Sequence, residues 1–458
     1  MLTGVTQEQG VPFVRYMPQG MGKTETLLKQ RSAERYSGMD RIVVRGGVPL
    51  LGEVNVSGSK NAALPLLFAT LLTEEECRFE RVPRLVDIRT ALRLLKKLGA
   101  LFDWLSDHEV AVTARTVRHL EAPYDLVKTM RASFLVLGPL LARFGRARVS
   151  TPGGCAIGTR PVNIHLDGLQ QLGATIRLQQ GYVEAEAKRL RGAHIVFEFP
   201  SVGATENLMM AATLAEGTTV LENAACEPEI EDLATMLNAM GARVSGAGTS
   251  TITIDGVTSL HGVTHEVIPD RVEAGTFLIA GAITCGEVFV RGARADHLHA
   301  FLDKLQDAGA TIQERADGIV ASCTGRPSGV DVTTWPYPGF PTDLQAQMMA
   351  LLALGDGRSL ITETVFENRF MHAQELARLG AHILIRGNTA AVTGVAFLSG
   401  APVMATDLRA SVSLILAALA AQGTTEVSRV YHLDRGYECL EDKLSQLGAD
   451  IRRVSEKG

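Results

Sequence analysis

Hydrophobic and polar positions along this chain follow a pattern that returns at a nearly constant interval. A helix-like segment, apolar at positions three and four apart, closes on Leu-x-x-Leu-Gly-Ala or a near relative. A β-like run follows each closure. The six closures are 95–100, 169–174, 237–242, 305–310, 376–381 and 444–449. Their glycines (99, 173, 241, 309, 380 and 448) stand 68 to 74 residues apart. Glycine in that place predicts a helix ending in the left-handed conformation, with a strand just after it.

A second signature interleaves with the first: an Ala/Leu-rich helix, a glycine turn, then a β-branched strand. Residues 211–221, 280–290 and 417–427 are examples. These helices carry Ala and Leu on more than one face, which predicts that they lie buried inside the sheets. Each unit therefore holds two helices and several strands, an α/β class. A solenoid would also repeat, but its period is usually 20–50 residues. Six longer units divide more naturally into two sets of three.

Residues 1–38 mix Gly, Gln and charge without periodicity and read as a poorly ordered extension. Within them, Gly20-Met-Gly-Lys-Thr24 is a poor phosphate loop, because Met17 stands where the first glycine is needed and no apolar strand precedes it.

Composition narrows the class. The chain has 458 residues, 46% hydrophobic, with a formal net charge of −5. That length allows two or three domains. The absence of a basic excess argues against nucleic acid. No apolar run is long enough to cross a bilayer, and residues 1–38 lack the apolar core of a secretory signal. The six cysteines (77, 155, 226, 285, 323 and 439) are scattered. This predicts reduced thiols in a cytoplasmic protein, with no disulfide framework and no metal site.

Against that acidic balance, several cations fall at turns. In Ser57-Gly-Ser-Lys-Asn61 a strand-like run gives way to an apolar helix. Lys60 and Asn61 there can hold phosphate beside a helix N-terminus; taken alone, the stretch reads more simply as a solvated Lys next to a cap. Lys128 and Arg131 lie three apart at a helix start, by themselves a solvated face. Asp343, after Phe340-Pro-Thr, is either a helix cap or a general base aimed into a cleft. Arg369, Arg409 and Arg435 each have an acidic neighbour in sequence and singly read as surface ion pairs worth little. Together with Lys60, Arg131 and Arg160 they make six cations, which an acidic chain would gather only for an anionic ligand.

The most distinctive stretch is Thr151-Pro-Gly-Gly-Cys-Ala-Ile-Gly-Thr-Arg-Pro-Val-Asn-Ile-His165. Glycines on both sides of Cys155 allow a mobile loop with a nucleophile or acid at its tip and Arg160 at its root. Cationic surroundings favour a reactive thiol over a small hydrophobe in a turn.

From Met39 onward the chain closely resembles the UDP-N-acetylglucosamine 1-carboxyvinyltransferase (enolpyruvyl transferase) family. The resemblance rests on Ser57–Ala62, Asp125–Ser133, Pro152–Cys155 with Gly158–Pro161, and Pro200–Thr205. Pro269–Arg271, Phe340–Asp343, Thr362–Arg369, Met404–Arg409 and Asp434–Glu438 complete it. It implies a two-domain inside-out α/β barrel of six βαβαββ-type repeats, three per domain. One domain would span 60–268 and carry the cysteine loop; the other would combine 39–59 with 269–458, the active site lying between them.

The implied reaction joins the enolpyruvyl group of phosphoenolpyruvate to the 3-hydroxyl of UDP-N-acetylglucosamine, releasing phosphate in the first committed step of peptidoglycan synthesis. No cofactor, metal, nucleic acid or membrane is implied. Asp343 is similar to the family's proton acceptor. Cys155 is similar to its general acid and fosfomycin target. Lys60, Asn61, Arg160, Arg409 and Arg435 match the phosphoenolpyruvate site, Lys60 and Arg435 among the catalytic groups. Arg131, Arg160, Pro161, Val162, Asn163, Ile164, Ser201, Val202, Gly203, Asp343 and Val365 match the UDP-sugar site.

Three departures stand out. Asn163 replaces an Asp of many members, which implies altered nucleotide affinity. Leu135 stands where some members carry Trp. Residues 1–38 have no counterpart. The sister reaction on shikimate 3-phosphate is disfavoured, because that family lacks the loop cysteine. A paralogue using another nucleotide sugar, or one that only binds a UDP-sugar and regulates, remains as an alternative.

Overall fold

A computed structural model describes residues 40–152 and 162–455. The extension 1–38 and the loop residues Cys155, Arg160 and Pro161 lie outside the described residues.

Among the described residues the repeat is borne out as six four-stranded sheets of one topology. In one of them, His194–Val196 runs parallel to Thr218–Glu222, which pairs antiparallel with Thr251–Asp255, which in turn pairs antiparallel with Arg243–Ser245. The six closing glycines all have positive φ, between 94° and 108°. This is the conformation an L side chain resists. The second signature differs in one detail: Gly217 and Gly423 take φ of 91° and 93°, but in 280–290 it is Cys285, not Gly286, that is left-handed, at 52°.

Several strands alternate buried and exposed positions, as in Glu76–Glu80, Thr218–Glu222 and Thr424–Ser428, with one wet and one dry face. The dry faces enclose helices that are buried nearly all round: Lys60–Ala69, Val202–Ala212, Arg271–Ile283, Gln345–Leu352 and Ser411–Ala420. Sheets outside and helices inside make this an inside-out α/β barrel, as expected.

Two hydrophobic cores result. One gathers residues from Ala62 to Val267; the other joins Ile42–Val56 to Val272–Ile451. Each ring of sheets is closed by a strand distant in sequence. Thr264–Glu266 supplies the parallel edge of Glu76–Glu80. Leu51–Asn55 does so for Glu287–Arg291, and Asp40–Arg45 sits between Thr424–Ser428 and Asp450–Ser455.

The chain passes between the cores twice, and the two passes are hydrogen-bonded to each other. Gly58 bridges Pro269, Ser59 N donates to Ile268 O at 2.7 Å, and Asp270 N donates to Ser57 O at 2.9 Å. A Cβ on Gly58 would fall 1.8 Å from the Arg81 carbonyl oxygen. Gly58→Ala should therefore destabilise the protein by about 2 kcal/mol or more, as overpacking does. Gly173 has φ of +94° but open space around it, so Gly173→Ala should cost only about 1–2 kcal/mol of stability, through backbone strain. Urea unfolding of both variants checks the ranking; a Gly58→Ala variant no less stable than Gly173→Ala would refute the close approach.

Candidate active site

The crossing delivers Lys60 to the gap between the cores. Ser59 caps the helix by accepting from Ala62 N at 3.3 Å, which makes Lys60 its first residue, only 6% exposed. Its Nζ lies 3.4 Å from Oδ2 of Asp87, at the start of the helix Val86–Leu98. Arg435, from the other core, closes on the same carboxylate, with Nε 2.9 Å from Oδ1 and Nη2 3.3 Å from Oδ2. Burial lowers the Lys60 pKa, Asp87 resists this, and Arg409 and Arg435 add to the lowering.

Asp270 has two jobs. Its Oδ1 caps the helix Arg271–Ile283, accepting from Val272 N and Glu273 N at 2.8 and 3.1 Å. Its Oδ2 faces Arg409 Nη2 at 3.4 Å. Arg409 is buried, stands over the Tyr437 ring, and brings Nε to 3.7 Å from Asp343 Oδ2. Arg369 Nη2 donates to Asp343 Oδ1 at 2.6 Å. Burial would raise the Asp343 pKa, but the Arg369 and Arg409 guanidiniums outweigh it and hold the carboxylate far below its ordinary range.

Two simple readings of the sequence are thereby corrected. Asp343 is no helix cap: neither the short turn Thr342–Leu344 nor the helix Gln345–Leu352 has a side-chain cap bond. Lys60 is not solvated. The three arginines are also not surface pairs with their sequence neighbours. Arg369 and Arg409 are buried against Asp343 and Asp270. Asp434 pairs with Arg453, while Arg435 reaches Asp87 in the other core.

The arrangement is four cations (Lys60, Arg369, Arg409 and Arg435) against three carboxylates (Asp87, Asp270 and Asp343). Each carboxylate offsets a charge that would otherwise be stranded in low dielectric. An anionic ligand can take over those cations, with bidentate geometry available from the arginines. Asn61 is half-buried beside Lys60 in sequence.

A second locus forms in the first core. Arg131 opens the short helix Arg131–Val136, Asn163 and Ile164 open Asn163–Gln171, and Ser201 caps Val202–Ala212, accepting from Ala204 N at 3.4 Å. Gly203 faces His165, whose Cε1 is 3.4 Å from where a Cβ would sit. Two N-termini thus share one face, a disposition suited to phosphate. Lys128 is exposed and paired with Asp125 at 2.6 Å, the solvated face that its motif suggested alone. Val162 is half-buried just before Asn163. Val365 N is held by Glu363 Oε1 at 2.9 Å.

The sequence reading missed His165, although it ends the glycine-rich stretch. Its Nδ1 is 3.0 Å from Asn207 Nδ2 and its ring meets Phe134 edge-on. Burial, reinforced by Arg131, pushes its pKa down to about 3. Asp87 was missed as well, because its segment has no motif character. Asp270 lay inside the recognised Pro269–Arg271, and Glu363 inside Thr362–Arg369. Among the described residues, no group of three or more His, Cys, Asp or Glu could hold a metal, and no helix is long and apolar enough to cross a membrane.

The fold and the cation-lined gap define a carboxyvinyltransferase: residues 44–444 match the family described as EPSP synthase (3-phosphoshikimate 1-carboxyvinyltransferase). Among solved structures, the enolpyruvyl transferase NikO from Streptomyces tendae is similar at 29% identity and a TM-score of 0.83, covering 92% of this chain and all of that one. EPSP synthase from Acinetobacter baumannii, at 17% identity and a TM-score of 0.72, covers 91% of this chain and all of that one and shares the fold. Sequence relatives are much nearer. The UDP-N-acetylglucosamine 1-carboxyvinyltransferases of Geobacter metallireducens and Desulfovibrio desulfuricans are 59% and 58% identical over 91% of this chain and the whole of each relative. The chain belongs to the UDP-N-acetylglucosamine 1-carboxyvinyltransferase family.

Behind the site, His372 is fully buried, and both ring nitrogens lack a hydrogen-bond partner among the described residues. Burial lowers its pKa to about 4, with Asp407 opposing and Arg369 assisting. The unfolded chain takes up this proton near pH 6.5 and the native protein does not, so stability falls as pH drops from about 6.5 towards 4. His372→Leu should remove this slope. The stability of the variant relative to wild type, from urea unfolding, should rise through that window; parallel curves would refute it.

Proposed function

We propose that this protein transfers the enolpyruvyl group of phosphoenolpyruvate to the 3-hydroxyl of UDP-N-acetylglucosamine, releasing phosphate, the first committed step of peptidoglycan synthesis in the cytoplasm. The observation that carries the reading is the convergence of Lys60, Arg409, Arg435 and Asp343 from both cores, in a chain 59% identical to an enzyme of that name. A phosphate and a carboxylate on one small substrate need several cations, and those here come pre-arranged.

In the proposed reaction, C3 of the enolpyruvate takes a proton from Cys155 while the sugar 3-hydroxyl oxygen bonds to C2 and gives its proton to Asp343. The tetrahedral adduct then gives a C3 proton to the Cys155 thiolate as the C2–O bond to phosphate breaks. Lys60, Asn61, Arg160, Arg409 and Arg435 bind the phosphoenolpyruvate anions. Arg131, residues 160–164 and Ser201–Gly203 bind the nucleotide, with Val365 beside the sugar. The helix N-termini at Asn163 and Val202 suit its diphosphate.

Asp343 is ionised but a weak base while Arg369 and Arg409 hold it. Once Arg409 turns to the substrate anion, the carboxylate regains basicity, so the base is activated only in the loaded site. The two cores act as two domains, 60–268 and 39–59 with 269–458, that close on the substrates.

Phosphate release from phosphoenolpyruvate with UDP-N-acetylglucosamine, abolished by fosfomycin, is the expected result. Release with shikimate 3-phosphate instead would transfer the assignment to the sister reaction. Asp343→Ala should lower kcat by roughly 10²–10⁴-fold, and a wild-type rate would remove it from the chemistry. Cys155→Ser should abolish most turnover yet leave UDP-sugar binding near wild type by calorimetry; lost binding would make the loop structural.

A further inference from the structure

Glu363 follows directly on the strand Arg358–Thr362 and is 2% exposed. Among the described residues it makes no ion pair; four donors satisfy it instead. Its Oε1 accepts from Thr334 Oγ1 at 2.7 Å, Val365 N at 2.9 Å and Phe366 N at 3.2 Å, and its Oε2 accepts from Thr342 Oγ1 at 2.8 Å. Its backbone is pinned to Asn388, which accepts from Glu363 N at 2.8 Å and donates to Glu363 O at 3.1 Å. A carboxylate buried in this way is costly unless its lone pairs are filled. That expense buys a rigid joint between three segments.

One of those segments is the turn Thr364–Phe366. Another begins at Thr342, next to Asp343. The Thr342 hydroxyl donates to Glu363 and accepts from Arg369 Nη1 at 3.3 Å, while Arg369 Nη2 donates to Asp343 Oδ1 at 2.6 Å. The line of contacts runs Glu363, Thr342, Arg369, Asp343. With Thr342 fixed by Glu363, one limb of the arginine fork is anchored and the other is aimed at the carboxylate.

We propose that Glu363 is a positioning residue of the site: it locks the Val365 turn and, through Thr342, the Arg369 fork on Asp343, so that sugar contact and the proton acceptor move as one unit. This rests on the reaction proposed above. A glutamine at 363 would present one oxygen and one NH2 where two acceptors are needed, so either the turn or Thr342 must lose its bond. Thr342→Val would cut only the branch towards Arg369.

The test is steady-state phosphate release by the full chain with phosphoenolpyruvate and UDP-N-acetylglucosamine across pH, for wild type, Glu363→Gln, Thr342→Val and Thr342→Ser. Glu363→Gln should lower kcat by roughly 10- to 100-fold, as a slightly misplaced group does, and raise KM for the sugar. Its acid limb should move up by about one pH unit, as Asp343 loses its aimed guanidinium. Thr342→Val should move the acid limb alike with KM unchanged, and Thr342→Ser should restore the wild-type profile. Variants that fold, turn over and keep the wild-type acid limb would overturn the inference while leaving the reaction standing. Should Glu363→Gln fail to fold, the Thr342 pair decides alone. A wild-type protein that releases no phosphate overturns both readings.

Discussion

A buried carboxylate shared between two cores is the contact on which the site depends. Asp87, 3% exposed, belongs to the first core and is met by Lys60 of that core and Arg435 of the other. Lys60 depends on it most. Lys60 occupies the first position of a helix, where the positive end of the helix dipole repels an ammonium, and burial further disfavours its charge. Removing one partner of such a pair strands the other charge, an effect of about 3–5 kcal/mol. Asp87 therefore opposes the loss of charge on Lys60 and links it to Arg435 of the other core.

The same logic recurs at Asp270 and Asp343. Asp270 uses one oxygen to cap a helix of the second core and the other to hold Arg409. Asp343 takes Arg369 and the Nε side of Arg409. Carboxylates thus offset the buried cations, and Asp343, the proton acceptor of the proposed reaction, is held far below its ordinary range by Arg369 and Arg409. Behind this rim, Tyr437 O–H, Thr276 and Gln347 form a buried polar group, Gln347 Nε2 donating to the Asp343 carbonyl at 2.9 Å. This ties the backbone of the acid to the helix packing of the second core.

Why the site lies where it does follows from the barrel. Helices enclosed by sheets must start somewhere free of apolar packing, and the starts at Lys60, Arg271 and Ser411 lie beside the charged gap. The two passes of chain at Gly58 and Pro269 are tied to each other where they cross between the cores.

Much of this was legible in the residues. The six glycine closures, their spacing and the all-round apolar helices determined the six units and the buried helices, because left-handed caps and dry helix surfaces are local demands that composition must meet. The motifs marked Lys60, Arg369, Arg409, Arg435 and Asp343 as candidates. What each charge faces was decided only by tertiary structure. Local reading paired each arginine with its sequence neighbour; folding paired Arg435 with Asp87, 348 positions away, and Arg409 with Asp270, 139 away. Asp87 carried no local signature, and His165 and Glu363, though inside marked stretches, were not singled out there, since the role of a polar group away from water is defined by the partners that replace it. Those partners come from other units of the chain.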